Sequence, residues 1–320
     1  MEIVEYNETY RNLWEQFVDD SNNGTLFAYQ KFFDYHPKDR FKHRHLMFFE
    51  RGKLVAICPA AEVKREDGVW LVSHPGASFD GIITSTRSGI SEALKLVDAL
   101  INFARQEGYK GIELTRPPWI YYKLPENHID FALFVSGGIY KKRELTSVVH
   151  LYSSIDENLR LFKTTARTAM RKAKKSGIKV EITNKWDEFY TLLERNLKLR
   201  HGVKPTHTLS EIYKLTSLLP DKIILFGAFV EEKMIAGSTI FICNKQTLLS
   251  FYITQDYDHQ NLRPLNLTFA EIMRWGINRG YSWLDFGTYT LNNIPNLGLA
   301  RFKESLGARG IFRDTIMLKL

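Results

Sequence analysis

A chain of 320 residues, 44% hydrophobic and 25% charged, is globular and long enough for two domains of ordinary size. Its formal charge of +8 suits acidic partners such as nucleotide-linked substrates, coenzyme A, tRNA or an anionic surface, without choosing among them. The two cysteines, Cys58 and Cys243, lie far apart and outside any CxxC spacing, which argues against a disulfide framework and against a structural zinc site.

The opening MEIVEYNETYRNLWEQF is acidic and helical in pattern, with no basic stretch ahead of an apolar core, so no signal peptide is read. No apolar run is long enough to span a bilayer, and the expected location is cytoplasmic. Residues 1–40 read as helical and aromatic-rich. Leu46–Phe49 and Leu54–Ile57, about a turn at Arg51-Gly52, predict a hairpin. Val69–Val72 predicts a strand leading into the loop SHPGASFDG, residues 73–81. A helix is expected from Ser91 to Glu107, with Leu94, Val97, Leu100, Ile101 and Ala104 on one face and Gly108 as its cap. Gly111–Leu114 follows as a strand.

Between Glu144 and Leu151 the pattern changes, and a domain seam is expected there, with domains at 1–147 and 148–320. Ser154–Gly177 reads as one basic helix. Arg160, Lys163, Arg167, Arg171 and Lys174 share a face, either as a track for phosphates or as a solvated helix surface. A helix over Lys185–Arg200 comes next. Thr208 with Glu211 then forms a capping box, which holds His207 just outside a helix N-terminus.

The order of the first half then returns. Ile223–Val230 and Met234–Ile242 predict a hairpin, Leu248–Thr254 a strand, Leu267–Asn278 a helix, and Trp283–Phe286 a closing strand. Gly108-Tyr109 precedes Ile112-Glu113-Leu114 as Gly280-Tyr281 precedes Leu284-Asp285-Phe286. The chain therefore reads as a duplicated unit of hairpin, strand, helix and strand. Gly287 ends the closing strand in a sharp exit, and a polar loop over Thr288–Asn296 leads to a basic amphipathic segment carrying Arg301, Phe302 and Lys303.

The run Asp285-Phe286-Gly287, Asn296-Leu297-Gly298-Leu299, Arg301-Phe302-Lys303-Glu304 and Leu306-Gly307-Ala308 resembles the C-terminal signature of the FemAB-like, double-GNAT acyltransferases. The basic segment after Ser154 and the loop Arg200-His201-Gly202-Val203-Lys204-Pro205 are similar to that family as well. The resemblance implies an α/β fold of two tandem GNAT-like domains, each a mixed sheet flanked by helices. The first would be degenerate and on the acceptor side, the second on the donor side. It implies transfer of an acyl or aminoacyl group to an amine of an amino sugar, peptide or nucleotide-linked cell-envelope precursor, peptidoglycan chemistry included.

Transfer to an amine needs a base, donors for the developing oxyanion, and positioning. His207 and Asp285 are the expected bases and Tyr252 the expected acid, with Asp256 a further candidate. Ser73, His74, Asp80 and Arg116 are expected to bind substrate, together with His201, Arg301 and Lys303. The glycine-rich pyrophosphate loop of acetyl-CoA-dependent GNAT enzymes is replaced by Gln260-Asn261-Leu262-Arg263-Pro264-Leu265-Asn266. Arg263 and Asn266 are the cofactor-binding candidates there, and the donor stays open between acyl-CoA and aminoacyl-tRNA. No HExxH, Walker loop, nucleophile elbow or zinc spacing occurs, so no metal is expected. The alternative is a non-catalytic GNAT scaffold that binds an anionic glycan precursor or RNA.

Overall fold

The computed structural model describes all 320 residues, apart from the side chains of Arg200 and His201. The chain divides into two compact units, one of Met1–Glu144 with Phe312–Leu320 and one of Leu145–Ile311. The boundaries fall between Glu144 and Leu145 and between Ile311 and Phe312. The last strand, which the sequence reading leaves with the second domain, returns to the first unit.

The first unit contains β1 (Glu2–Glu5), α1 (Arg11–Asp20), α2 (Gln30–Phe33), β2 (Lys42–His43), β3 (Leu46–Glu50), β4 (Lys53–Cys58), β5 (Ala60–Arg65), β6 (Gly68–Ser73), β7 (Ile83–Thr84), α3 (Ile90–Gln106), β8 (Gly111–Thr115) and α4 (His128–Val135). β9 (Ile139–His150) starts in this unit and ends in the second. The second unit continues with α5 (Ile155–Leu161), α6 (Thr164–Lys175), β10 (Lys179–Thr183), α7 (Trp186–His201), α8 (Leu209–Leu218), β11 (Ile223–Val230), β12 (Lys233–Ile242), β13 (Thr247–Gln255), α9 (Pro264–Asn278), β14 (Trp283–Thr288), β15 (Thr290–Leu291), β16 (Ile294–Pro295) and α10 (Leu297–Ser305). β17 (Arg309–Lys319) then runs back into the first unit.

In the first unit β1, β3, β4 and β7 form a small sheet, and β17, β8, β6, β5 and β2 lie side by side in another. In the second the order is β10, β11, β12, β13, β14, β9. The predicted repeat is present. β6 runs through α3 into β8, and β13 runs through α9 into β14, each pair parallel. The paired glycines do the same work. Gly108 and Gly280 both sit at positive φ, and the tyrosine after each donates its N–H to the helix carbonyl five residues back, Ala104 or Gly276.

Several expectations need correction. Residues 2–5 form a strand against β3 rather than a helix, because Ile3 and Val4 pair with Phe48 and Met47. Leu94 is exposed, and Ala93 and Leu96 fill the buried face of α3 in its place. The single helix expected over 154–177 is two. Phe162 and Lys163 leave the helical region, Phe162 enters the core, and the Lys163 N–H turns to the Ser305 carbonyl. Arg160 therefore lies on α5, with Arg167, Arg171 and Lys174 on α6.

Candidate functional site

The second unit holds an opening in its sheet. β13 and β14 pair only through Thr247–Trp283, Leu248–Leu284 and Leu249–Asp285, although β13 continues to Gln255 and β14 to Thr288. On its other side β13 carries a bulge. Thr239 of β12 faces Tyr252 and Ile240 faces Ser250, so Phe251 is the extra residue. Bulges bend a strand and re-aim its side chains. Here the bend comes just past the point where β13 parts from β14.

Two of the expected residues meet on β13. His207 Nδ1 lies 2.8 Å from the Tyr252 hydroxyl, which also accepts the His207 backbone N–H at 3.0 Å. The His207 tautomer decides which of the two donates in the ring–phenol bond. The capping box of Thr208 and Glu211 forms as expected and fixes the chain just after His207. His207 is buried against Phe251, at 5.3 Å between ring centroids, and Tyr190 donates to its carbonyl. Burial pushes the Tyr252 hydroxyl up to about 12, so it stays protonated at neutral pH.

The other expected residues gather at β14. Asp285 Oδ1 accepts from the Thr146 hydroxyl at 2.5 Å and from the Gly287 N–H at 2.7 Å. Gly287 has φ +76°, a conformation that a Cβ would strain, which explains the glycine. Lys303, 2% exposed, reaches back from α10 and donates to the carbonyls of Gly287 at 2.7 Å and Thr288 at 2.9 Å. Asp285 and Lys303 thus clamp one turn from its two ends. Tyr252 lies three residues beyond Leu249, the register partner of Asp285, a separation of about 10 Å along the strand. The two groups of residues lie along the strands that border the opening.

Asp256 is a hub rather than a free base. It accepts from Lys233 and His259 and caps the Asp258 N–H, and its carboxyl, opposed by burial but held by these donors, lies below the usual range. Arg301 donates to the Leu297 carbonyl of its own helix and is exposed on α10. The side chain of His201 lies outside the described residues.

At the start of α9 the geometry bears on the donor. Arg263 occupies the N-cap at φ +59°, Pro264 has no N–H, and the Asn266 N–H turns back to the Arg263 carbonyl at 3.3 Å. GNAT domains in general take acyl-CoA and hold its pyrophosphate on the amides of this turn. In this chain Pro264 removes one of those donors and the Arg263 carbonyl takes another, so the residues present fit the group poorly.

In the first unit, Ser73, His74, Asp80 and Arg116 are all structurally engaged or buried. Ser73 accepts the Thr115 N–H across the end of the parallel pair β6–β8. Arg116 donates to the Ile82 carbonyl and to the Tyr122 hydroxyl, with Asp130 at 3.7 Å. Neither Asp80 carboxylate oxygen has a hydrogen-bond partner among the described residues, and burial raises its pKa well above the ordinary value.

His74 belongs to a cluster that sequence reasoning missed. The ligand atoms of His43, His45 and His74 lie within 4.8 Å of one another. His43 and His45 stand two residues apart at the end of β2 and in the link to β3, a spacing visible in the sequence, whereas His74 joins them from the end of β6. Their hydrogen bonds argue against a metal. His45 Nδ1 accepts the Ala60 N–H and His74 Nδ1 accepts the Gly76 N–H. Each neutral ring then carries its proton on Nε2, and that of His74 donates to His43 Nδ1 at 2.9 Å. A ligating histidine has the opposite pattern, donating through its second nitrogen. Burial holds His45 down to about 3 and His74 well below the usual range.

Comparison with known proteins agrees with this architecture. Residues 160–304 match the family described as Acetyltransferase (GNAT) domain. No curated protein matches the chain. Among solved structures, FemX superposes with a TM-score of 0.76 at 14% identity, covering 100% of this chain and 98% of its own. L-PGS from Bacillus licheniformis gives 0.61 at 13%, covering 100% and 94%, and a tandem GNAT protein from the clavulanic acid biosynthesis pathway gives 0.53 at 11%, covering 99% and 98%. The GNAT match thus covers residues 160–304, and over its whole length the chain shares the fold of FemX and of the tandem GNAT protein.

Proposed function

We propose that the protein transfers an aminoacyl group from aminoacyl-tRNA to an amine of a cell-envelope precursor, an amino sugar or a peptide. The observation that carries the choice of donor is the turn before α9, where Pro264 and the inward-turned Asn266 N–H leave too few amides for a pyrophosphate. The exposed cations Arg160, Lys163, Arg171 and Lys174, with half-buried Arg167, offer a tRNA backbone the contacts that the coenzyme loses.

The opening between β13 and β14 receives the aminoacyl ester. The acceptor amine attacks its carbonyl, a C–N bond forms, and the ester C–O bond to the ribose breaks. The His207–Tyr252 pair takes the amine proton and returns one to the ribose oxygen, with the neutral phenol as the acid. Lys303 places a positive charge at the Gly287 turn, where it offsets the charge developing on the carbonyl oxygen. Asp285 orients that turn. Within the first unit, Ser73, His74, Asp80 and Arg116 remain proposed substrate contacts. The proposed location of the reaction is the cytoplasm.

The test is a transfer assay with labelled aminoacyl-tRNA or labelled acetyl-CoA against nucleotide-linked peptide and amino-sugar acceptors, run beside thermal melts with free coenzyme A. Transfer from the tRNA with no coenzyme-induced rise in melting temperature supports the reading. A saturable rise with transfer from acetyl-CoA assigns the donor to coenzyme A. Silence with both donors leaves a binding scaffold.

A further inference from the structure

We infer that the first unit docks on an anionic lipid bilayer through the outer face of α4 and the start of β9. Helix α4, HIDFALFV, is apolar on both sides. Ile129, Ala132 and Leu133 are buried against the core, whereas Phe131, Phe134 and Val135, at i, i+3 and i+4, share the opposite face. These three are 52% to 58% exposed, and Ile139, at 56%, and Tyr140, at 42%, extend the surface along β9. Scattered exposed apolar residues are ordinary, but a contiguous set of this kind marks a partner.

Charge selects the partner. The strand continues directly into Lys141, Lys142 and Arg143. The Arg143 guanidinium lies over the Tyr140 ring at 4.6 Å and over the Phe312 ring at 3.9 Å, so a cation and two aromatic rings form one amphipathic rim. Between residues 127 and 143 the one acidic residue is Asp130, which is drawn inward toward Arg116. Glu113 and Asp314 pair with Lys141 and Arg143 but are themselves mostly buried, and so leave the outer surface basic. An apolar face with aromatic and basic residues at its edge is the composition that settles at the boundary of headgroups and acyl chains, and anionic lipids add attraction. A second copy of the chain fits less well, because a two-fold contact through this face would set the same cations against each other.

The test uses the full chain in flotation with vesicles of phosphatidylglycerol and phosphatidylcholine in equal parts, and with vesicles of phosphatidylcholine alone. The expected result is binding to the anionic vesicles, reduced about tenfold in the F131S/F134S double variant, whose side chains face solvent and whose melting temperature should be unchanged. Lys142→Glu should weaken binding and leave a smaller salt dependence. The inference is overturned by no binding to the anionic vesicles, or by binding that salt abolishes but F131S/F134S does not alter, since net charge alone then explains it. It is also overturned if light scattering finds a dimer that the double variant dissociates.

Discussion

At the scale of single residues, the structure separates side chains that can react from those that hold the backbone. Tyr252 and His207 make one hydrogen-bonded pair, and Tyr252→Phe removes both the phenolic proton and an acceptor for a buried N–H. An acyl-transfer assay should show kcat/KM lowered by about 100-fold or more, the range for losing a general acid or base. Retention of full activity would move the proton transfer elsewhere. Lys303 is different. The sequence presents it as an exposed-looking cation on a basic segment, but it is buried and holds two carbonyls. Lys303→Met should therefore cost stability as well as turnover, about 2 kcal/mol or more for the orphaned carbonyls, read as a lower melting temperature. An unchanged melt would mean that those carbonyls are satisfied in other ways.

At the scale of elements, the break between α5 and α6 matters most. Phe162 packs inward and Lys163 opens a new helix, so the cationic stripe that one continuous helix would carry is divided. Arg167 and Arg171 share α6 and should act together. If α6 meets tRNA, the R167E/R171E variant should weaken binding and reduce the slope of log affinity against log salt by about two, close to one per lost phosphate contact. An unaltered slope in a filter-binding series would make α6 a solvated helix surface. The β14 exit depends on one backbone conformation. Gly287→Ala puts a Cβ at φ +76° and should lower the melting temperature, with a loss of about 1 kcal/mol or more, and disturb the Lys303 contacts.

At the scale of the whole molecule, the histidine cluster links stability to pH. His45 and His74 are held neutral by burial, below the value near 6.5 that each has in the unfolded chain. Their contribution is full above that value. It is lost as pH falls, because the unfolded chain then binds protons that the folded one refuses. Thermal melts should show stability declining below pH 6.5, by about 1 kcal/mol per buried histidine at pH 5.5. His45→Asn keeps an acceptor for the Ala60 N–H and removes the titration, so it should flatten that decline. An equally steep decline would assign the acid sensitivity to other groups.

What the sequence determined by itself is what rests on local periodicity and local chemistry. The repeated hairpin, strand, helix and strand, the glycine caps at Gly108 and Gly280, and the capping box at Thr208 are all read from neighbours within a few residues, and all form. The C-terminal signature carried the family. What only the tertiary structure decided rests on contacts between distant segments. Thr146 meets Asp285 across 139 positions, His74 joins the neighbouring His43 and His45 from the end of β6, and β17 returns to the first unit. Strand pairing and burial set these contacts. A hydrogen bond or a buried charge depends on which segments the fold brings together, and spacing along the chain carries no record of that.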